Sequence, residues 1–472
     1  MPAARIALWG TFDVDNYGDH LFPRVAVHEL GRRLPGVTVA PFAPFGWLHP
    51  TPLDDGWRAA PLGPWSEARA RQLAAAHHLV LVGGGELIHL ADPMLAVVYG
   101  EPEAELARLA PSRFFVEGLG PELEAGCPVV WHGVGVPWVP TGPAADRVRR
   151  ALAPRPYVTV RDRHSARRLA EAGVDRPVDV VPDSALLLDR IMPPAALAAR
   201  LDRLRAAGAY PAPGTPALVV QGCDLLVPHV AAVVAALQRW RAARPVPPEI
   251  VVLETGRCRG DGAAADALER AFGGPVRRLP ASAALEDLAA AVAGAEVCVS
   301  SSLHAAVTAL VFGRPFVLLN LIDDAKLDGF GDLTGLAAGV VHAPGEIPAA
   351  ADRALAEPAA PGVLAALQAG VDRHFDRIAE LAEAQVRARP DVRPDPTLDA
   401  YAVLDRLGRA EADRAEAGRR AQVAERRAQA AEHRAEAAER ELSAVRATKA
   451  WRLLAPAREL YARLRQAASS TG

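Results

Sequence analysis

The chain has 472 residues, a formal charge of −3, and half of its residues are hydrophobic. That length allows two or three domains with large buried cores and excludes a disordered chain. The balanced charge excludes a nucleic-acid binder driven by bulk electrostatics, and no uncharged apolar run reaches the ~20 residues of a membrane span.

Arg5–Gly10 reads as a buried strand, Asp19–Leu34 as a helix and Val37–Phe42 as a second strand. Ser66–Ala76 follows as a Ser-capped helix, then His78–Val82 as a strand ending in Gly83-Gly84-Gly85. Pro128–Val136, Tyr157–Arg161 and Val178–Val181 are further strands, with a helix over His164–Ala172. Strand–helix alternation with β-branched strands predicts a parallel, doubly wound sheet over residues 1–190. Five prolines mark 191–216 as a linker around one helix. The alternation restarts over 217–390: strands at Ala217–Gln221, Glu249–Glu254, Glu296–Ser300 and Pro315–Asn320, and helices at Val230–Ala243, Ala263–Phe272, Leu285–Ala293 and Leu303–Phe312. The fold class is therefore α/β, two tandem Rossmann-like domains, with ligands expected in the cleft at the carboxyl ends of the strands.

An Ala/Leu helix over 362–386 ends before Pro390, Pro394 and Pro396. Residues 397–448 carry small apolar residues in 4,3 steps, which fits a long single helix or a coiled coil, and with it a homodimer. The tail 449–472 is basic and amphipathic around Trp451, which fits either a helix docked on protein or peripheral contact with an anionic membrane. The opening MPAARIALWG does not read as a signal peptide, and Cys127, Cys223, Cys258 and Cys298 form no CxxC pair. The expectation is a cytoplasmic chain, at most peripheral at the inner face of the plasma membrane, with no metal site and no nucleic-acid partner.

Several strand ends carry residues suited to chemistry. After the first strand come Asp13, Asp15, Asn16, Tyr17, Gly18 and Asp19. Asp13 or Asp15 could bind or deprotonate a sugar hydroxyl, or form an Asx turn, and Asp19 suits the helix start. Gly84, Gly85 and Glu86 allow a ligand, or the other domain, to pass closely; a tight turn explains them nearly as well. His132 at another strand end reads as structural. Arg161 offers a fork for carboxylate or phosphate, or pairs with Asp162. Ser300-Ser301-Ser302-Leu303-His304 opens a helix, whose N-terminus favours an anion. Of 53 basic residues only Lys326 and Lys449 are lysine, and Lys326 follows the next strand. Convergence of Arg161, His304, Lys326 and that helix start would make a phosphate and carboxylate site.

In this order the segments FDVDNYGD (12–19), GGGEL (83–87), VRDRHS (160–165), VDVVPDSAL (178–186), SSSLHAAVTALVFGRPFV (300–317) and Lys326 resemble the polysaccharide pyruvyl transferase family. Leu303 stands where members often have Arg. The resemblance implies a two-domain fold like B-type glycosyltransferases. It also implies transfer of the pyruvyl group of phosphoenolpyruvate to a cell-surface glycan, or its lipid-linked precursor, as a cyclic ketal. No cofactor is implied beyond that co-substrate. Arg161, His304 and Lys326 would be the donor-site residues, with Ser301 and Ser302 beside them. His304 would act as general acid or phosphate donor and Asp13 or Asp15 as base, with the acceptor near Asn16, Tyr17, Gly84, Gly85 and Glu86. Two other functions fit the same fold: a nucleotide-sugar glycosyltransferase using Asp323, Asp324 or Asp328, and a non-catalytic glycan-binding scaffold.

Overall fold

The computed structural model describes residues 2–54, 58–357, 359 and 361–398, and beyond these only 414, 440, 443 and 444. The chain divides into a unit over Met1–Ala402 and a second over Val403–Gly472. The coiled coil expected over 397–448 and the basic tail therefore lie almost wholly outside the described residues.

The first unit is built on two all-parallel sheets. The first contains β1 (Arg5–Trp9), β2 (Thr38–Ala43), β3 (Ala60–Pro61), β4 (Leu79–Gly83), β5 (Val129–Val134), β6 (Val158–Val160) and β7 (Asp179–Val180), in the order β3-β2-β1-β4-β5-β6-β7. The second contains β8 (Ala217–Gln221), β9 (Glu249–Val252), β10 (Val276–Arg278), β11 (Val297–Ser300), β12 (Phe316–Leu319) and β13 (Val340–Val341), ordered β10-β9-β8-β11-β12-β13. Helices cover both faces, so the central strands, such as LVLVG in β4 and VCVS in β11, are buried at every residue. The strand order reverses beside β1 in the first sheet and beside β8 in the second. Loops at such switch points open into a crevice, and the loops after β1, β4, β8 and β11 all reach the same one.

The predicted elements recur within a few residues, and β8 and the helix Leu285–Ala293 match residue for residue. The linker is corrected. Residues 191–216 hold the helix Pro194–Ala206, which opens with Pro194 in its first turn, where a missing N–H costs nothing. Leu197, Leu201 and Leu204 on that helix belong to the second sheet's core. The placement of 362–386 with the second sheet is also corrected. The helix Pro361–Ala388 returns to the first sheet, where Val371, Phe375, Ile378, Ala382 and Val386 pack with Ile6, Leu8, Val25, Leu81 and Val130. That apolar stripe recurs every three or four residues, as one buried helix face requires. Ion pairs from Arg33 and Arg190 to Asp372 fix its outer edge.

The helix Tyr17–Arg33 joins the halves. Tyr17 and Leu21 share a core cluster with Leu303, Ala306 and Leu310 from the second half. The loop before it is stitched to the loop after β9. Asn16 bridges Gly256, the Tyr17 amide donates to the Thr255 carbonyl at 2.6 Å, and Asp15 takes two hydrogen bonds from Arg257 at 2.7 and 2.9 Å. Among the described residues, no helix is long and apolar enough to cross a membrane.

Candidate active site

The crevice forms a cavity of about 700 Å³, within the range that holds a drug-sized ligand. Arg161, His304 and Lys326 all line it, with Ser301 and Ser302 beside them. From the first-half loops, Asn16, Gly85 and Glu86 line it as well.

Arg161 leaves β6 just before the helix Arg163–Glu171, whose N-cap is Asp162. Its side chain is 6% exposed, whereas Arg163 is exposed. Arg161 Nη2 lies 3.5 Å from Glu86, and Nε 3.5 Å from Asp162, without a hydrogen bond to either. The guanidinium is thus attracted but not saturated. Lys326 enters from the first turn of the helix Ala325–Thr334, capped by Asp324. Its Nζ sits 2.6 Å from Asp324 and 3.3 Å from Glu86. Burial would raise the Glu86 carboxyl, but Lys326, Arg161 and Arg259 outweigh it and hold Glu86 down at about 2. Glu86 is therefore an anion that spaces two cations on the cavity wall.

His304 lies in the first turn of the helix Leu303–Val311, capped by Ser302. Its Nε2 is 3.3 Å from the Asp183 carboxylate. Burial would raise Asp183, but His304 and then Arg161 hold it at about 2, so it is ionised at any working pH. Neither His304 Nε2 nor Asp183 Oδ2 has a hydrogen-bond partner meeting full geometry. On its other side the imidazole abuts Gly18. A Cβ there would overlap the ring, so only glycine admits His304 in this place. Gln221 holds the serine strand end by accepting from Ser300 Oγ at 2.6 Å and from the Ser301 amide at 3.1 Å, while donating to Asp261 at 2.8 Å.

Four other expected residues fall outside the lining. Asp13 is corrected from base to structural carboxylate. One oxygen accepts from the amides of Phe45 and Gly46, both at 2.7 Å, and the other from the Tyr99 hydroxyl at 2.7 Å. Asp15 is corrected likewise, since Arg257 occupies both its oxygens. Tyr17 is fully buried, its hydroxyl 3.0 Å from Thr308. Gly84, at φ +89°, is packed against Phe12 and Phe22 and shapes the loop without facing the cavity.

The structure adds three residues to the expected site, one of which, Asp19, was expected only at the helix start. Asp19 lines the cavity, accepts from the Thr11 hydroxyl at 2.6 Å, and is raised above the usual carboxylate range by burial. Asp183 was visible as Pro-Asp after a strand, although spacing alone could not pair it with a residue 121 positions on. Arg259 also lines the cavity with no ion pair among the described residues; burial would lower its guanidinium, but the charges of Cys258, Glu86, Asp19 and Asp324 outweigh it and raise it. Of the acids considered for a sugar nucleotide, Asp324 is held by Lys326, whereas Asp323 and Asp328 face His342. No group of three or more His, Cys, Asp or Glu among the described residues is placed to hold a metal ion.

The arrangement is an anion trap: the guanidiniums of Arg161 and Arg259, an ammonium and a helix N-terminus around one cavity, also lined by Arg257, which Asp15 holds, with a carboxylate-oriented imidazole on its wall. The family model for polysaccharide pyruvyl transferase matches residues 16–323. No curated protein matches the chain. Among solved structures the chain is similar to a UDP-N-acetylglucosamine 2-epimerase from Rickettsia bellii, with 13% identity over 82% of this chain and 99% of that one and a TM-score of 0.47. It is also similar to the glycosyltransferase SnogD from Streptomyces nogalater (15% identity, 80% and 100% covered, TM-score 0.39). A third is the ADP-heptose LPS heptosyltransferase II of E. coli (11% identity, 75% and 99% covered, TM-score 0.36).

Proposed function

The chain belongs to the polysaccharide pyruvyl transferase family, and on that premise we propose that its cavity moves the pyruvyl group of phosphoenolpyruvate onto two hydroxyls of a saccharide. The products are a cyclic ketal and inorganic phosphate. One observation carries this reading: Arg161, Lys326 and His304, brought from three distant segments, line one cavity with the helix start at Ser302. A small donor with a carboxylate and a phosphate matches that set of charges.

The donor carboxylate and phosphate bind across Arg161, Lys326 and the helix start. Arg259 adds a further cation to the same wall. His304, oriented by Asp183, gives a proton to the donor methylene, which makes C2 electrophilic. One acceptor hydroxyl attacks C2, and Asp19, raised by burial, takes its proton. The C2–O bond to phosphate breaks, and the second hydroxyl closes the ring. Two hydroxyl protons are lost; one becomes the third methyl hydrogen and the other leaves on phosphate, so no outside acid or oxidant is needed. Lys326 and Arg161 stabilise the charge that develops on the leaving group. No cofactor enters, and phosphoenolpyruvate is a co-substrate.

The test is a screen of mixed glycan acceptors with phosphoenolpyruvate, read by phosphate release and acceptor mass gain. His304→Ala and Lys326→Ala are expected to lose at least a hundredfold in turnover while remaining folded. Near-normal turnover by both would refute the assignment.

A further inference from the structure

The cavity is charged at its base and apolar at its rim. Five exposed hydrophobic side chains line it: Met94, Val97 and Trp138 from the first half, Leu225 and Ile322 from the second. Trp138 differs from the other four. It is the one exposed Trp, Tyr or Phe among the described residues. Trp9, Trp131 and Trp240 are buried, and Trp47 and Trp65 are half-buried. An indole left 41% exposed inside a cavity, while the other described ones are covered, marks a contact for a ligand.

The loop that carries Trp138 is held on several sides. Pro137 and Pro140 flank Trp138 and Val139, and each proline fixes its own φ. The Val136 amide donates to Ser165 Oγ at 3.1 Å, and the Val136 carbonyl accepts from Arg168 at 2.7 Å. Two backbone bonds join this loop to the one after β4: the Gly135 amide donates to the Gly85 carbonyl at 2.9 Å, and the Ile88 amide to the Gly135 carbonyl at 3.2 Å. A Cβ at Gly135 would come within 2.8 Å of Glu86 Cγ and 3.0 Å of Arg161 Nη2, so glycine lets the loop pass this close to the donor-site cation. From Gly135 to Trp138 the chain runs at most about 11 Å. His89 backs the indole, with ring centroids 5.7 Å apart. The ring is thus preorganised, within reach of a short saccharide held at the base.

The chemistry of this wall selects the ligand. A pyranose carries hydroxyls around its edge and C–H groups on its faces. Those C–H groups are slightly positive and fit the negative face of an indole. The hydroxyls need acceptors, and the half-buried Glu86 carboxylate lies on the same wall. The reacting groups lie deeper: the His304 side chain is 15% exposed and that of Arg161 6%. A sugar on Trp138 is therefore a different ring from the one that reacts. We propose that Trp138 holds the pyranose next to the one that receives the pyruvyl group, so that the acceptor is an oligosaccharide of two or more rings and Trp138 helps select it. This rests on the pyruvyl-transfer reading and adds a specificity residue to it.

The test uses the full chain labelled with 5-fluorotryptophan, in which the fluorine NMR signal of Trp138 is identified by its loss in Trp138→Phe. The probes are cellobiose, lactose, maltose and laminaribiose, with methyl glucoside and methyl galactoside as single rings and uridine as a free nucleoside. At least one disaccharide is expected to shift the Trp138 signal and to bind about tenfold more tightly than either single ring. By calorimetry Trp138→Ala should remove that difference, whereas Trp138→Tyr, which keeps a ring face, should retain most of it; the site is exposed, so folding is spared. No shift with any disaccharide, equal affinity for one ring and two, or a difference that survives Trp138→Ala overturns the proposal. So does a shift with uridine and with no disaccharide, which would make the indole a platform for a nucleotide base. Phosphoenolpyruvate binding to the unaltered chain is measured in parallel. Its absence with the disaccharide preference intact would sink the pyruvyl reading alone, whereas its presence without that preference sinks only the role of Trp138.

Discussion

Two loops carry the densest motifs in the chain, and they behave oppositely. The loop after β1 holds three aspartates within seven residues, and two of them are used up inside the fold: Asp13 by Phe45, Gly46 and Tyr99, Asp15 by Arg257. The loop after β11 is plainer, yet Ser301, Ser302 and His304 all reach the cavity. A carboxylate near free amides or a guanidinium is readily consumed by local structure, since those donors otherwise go unsatisfied. A histidine just inside a helix start has no such local demand, and its position follows from the helix.

The loops meet where Gly18 faces His304, so that contact is the sharpest place to break the comparison. Gly18→Ala adds one methyl that overlaps the imidazole. About a hundredfold loss of kcat is expected, through displacement of His304 by a fraction of an ångström or more. An alanine variant with wild-type kcat would mean that the ring is not where the chemistry occurs.

Away from the cavity, the buried imidazoles make stability depend on pH. Burial lowers His20, His77, His89 and His132 to about 4, and His374 well below its usual value. Each is neutral in the fold at a pH where it is protonated in the unfolded chain. Their contribution is complete above about 6.5 and is lost as pH falls towards 4. Asp13 and Asp261, raised by burial to about 6, and Glu124, raised to about 7, oppose this trend, because they bind protons in the fold first. His374, 2.5 Å from His132, isolates one arm. His374→Phe should make the decline in Tm between pH 6.5 and 4.5 shallower by a few degrees than in the unaltered chain. An unchanged slope would place the acid sensitivity elsewhere.

The smallest effect is expected at Asp15. Asp15→Asn loosens the clasp to Arg257 and should cost on the order of 1 kcal/mol in stability, with turnover within about threefold of normal. A hundredfold loss of turnover would restore Asp15 as a base and undo the contrast between the loops.

Much of this was legible in the chain. Strand–helix alternation revealed both sheets, because buried parallel strands are short apolar runs bounded by turns. Arg161, His304 and Lys326 stood out because each follows a strand end. Three things were hidden. The short helices at Leu95–Tyr99 and Glu103–Leu109, with the apolar rim, lack a periodic stripe long enough to read. The return of Pro361–Ala388 to the first sheet depends on tertiary packing, and its period does not name its partner. The Asp183–His304 pair joins residues whose contact only the assembled halves create.

The central claim is that this cavity binds phosphoenolpyruvate through Arg161 and Lys326, and ligand-induced thermal stabilisation tests it most directly. Phosphoenolpyruvate at saturating concentration should raise the Tm of the full chain, more than pyruvate or phosphate alone, and Arg161→Gln with Lys326→Gln should erase the rise. No rise in the unaltered chain, or an equal rise in the double variant, would contradict it.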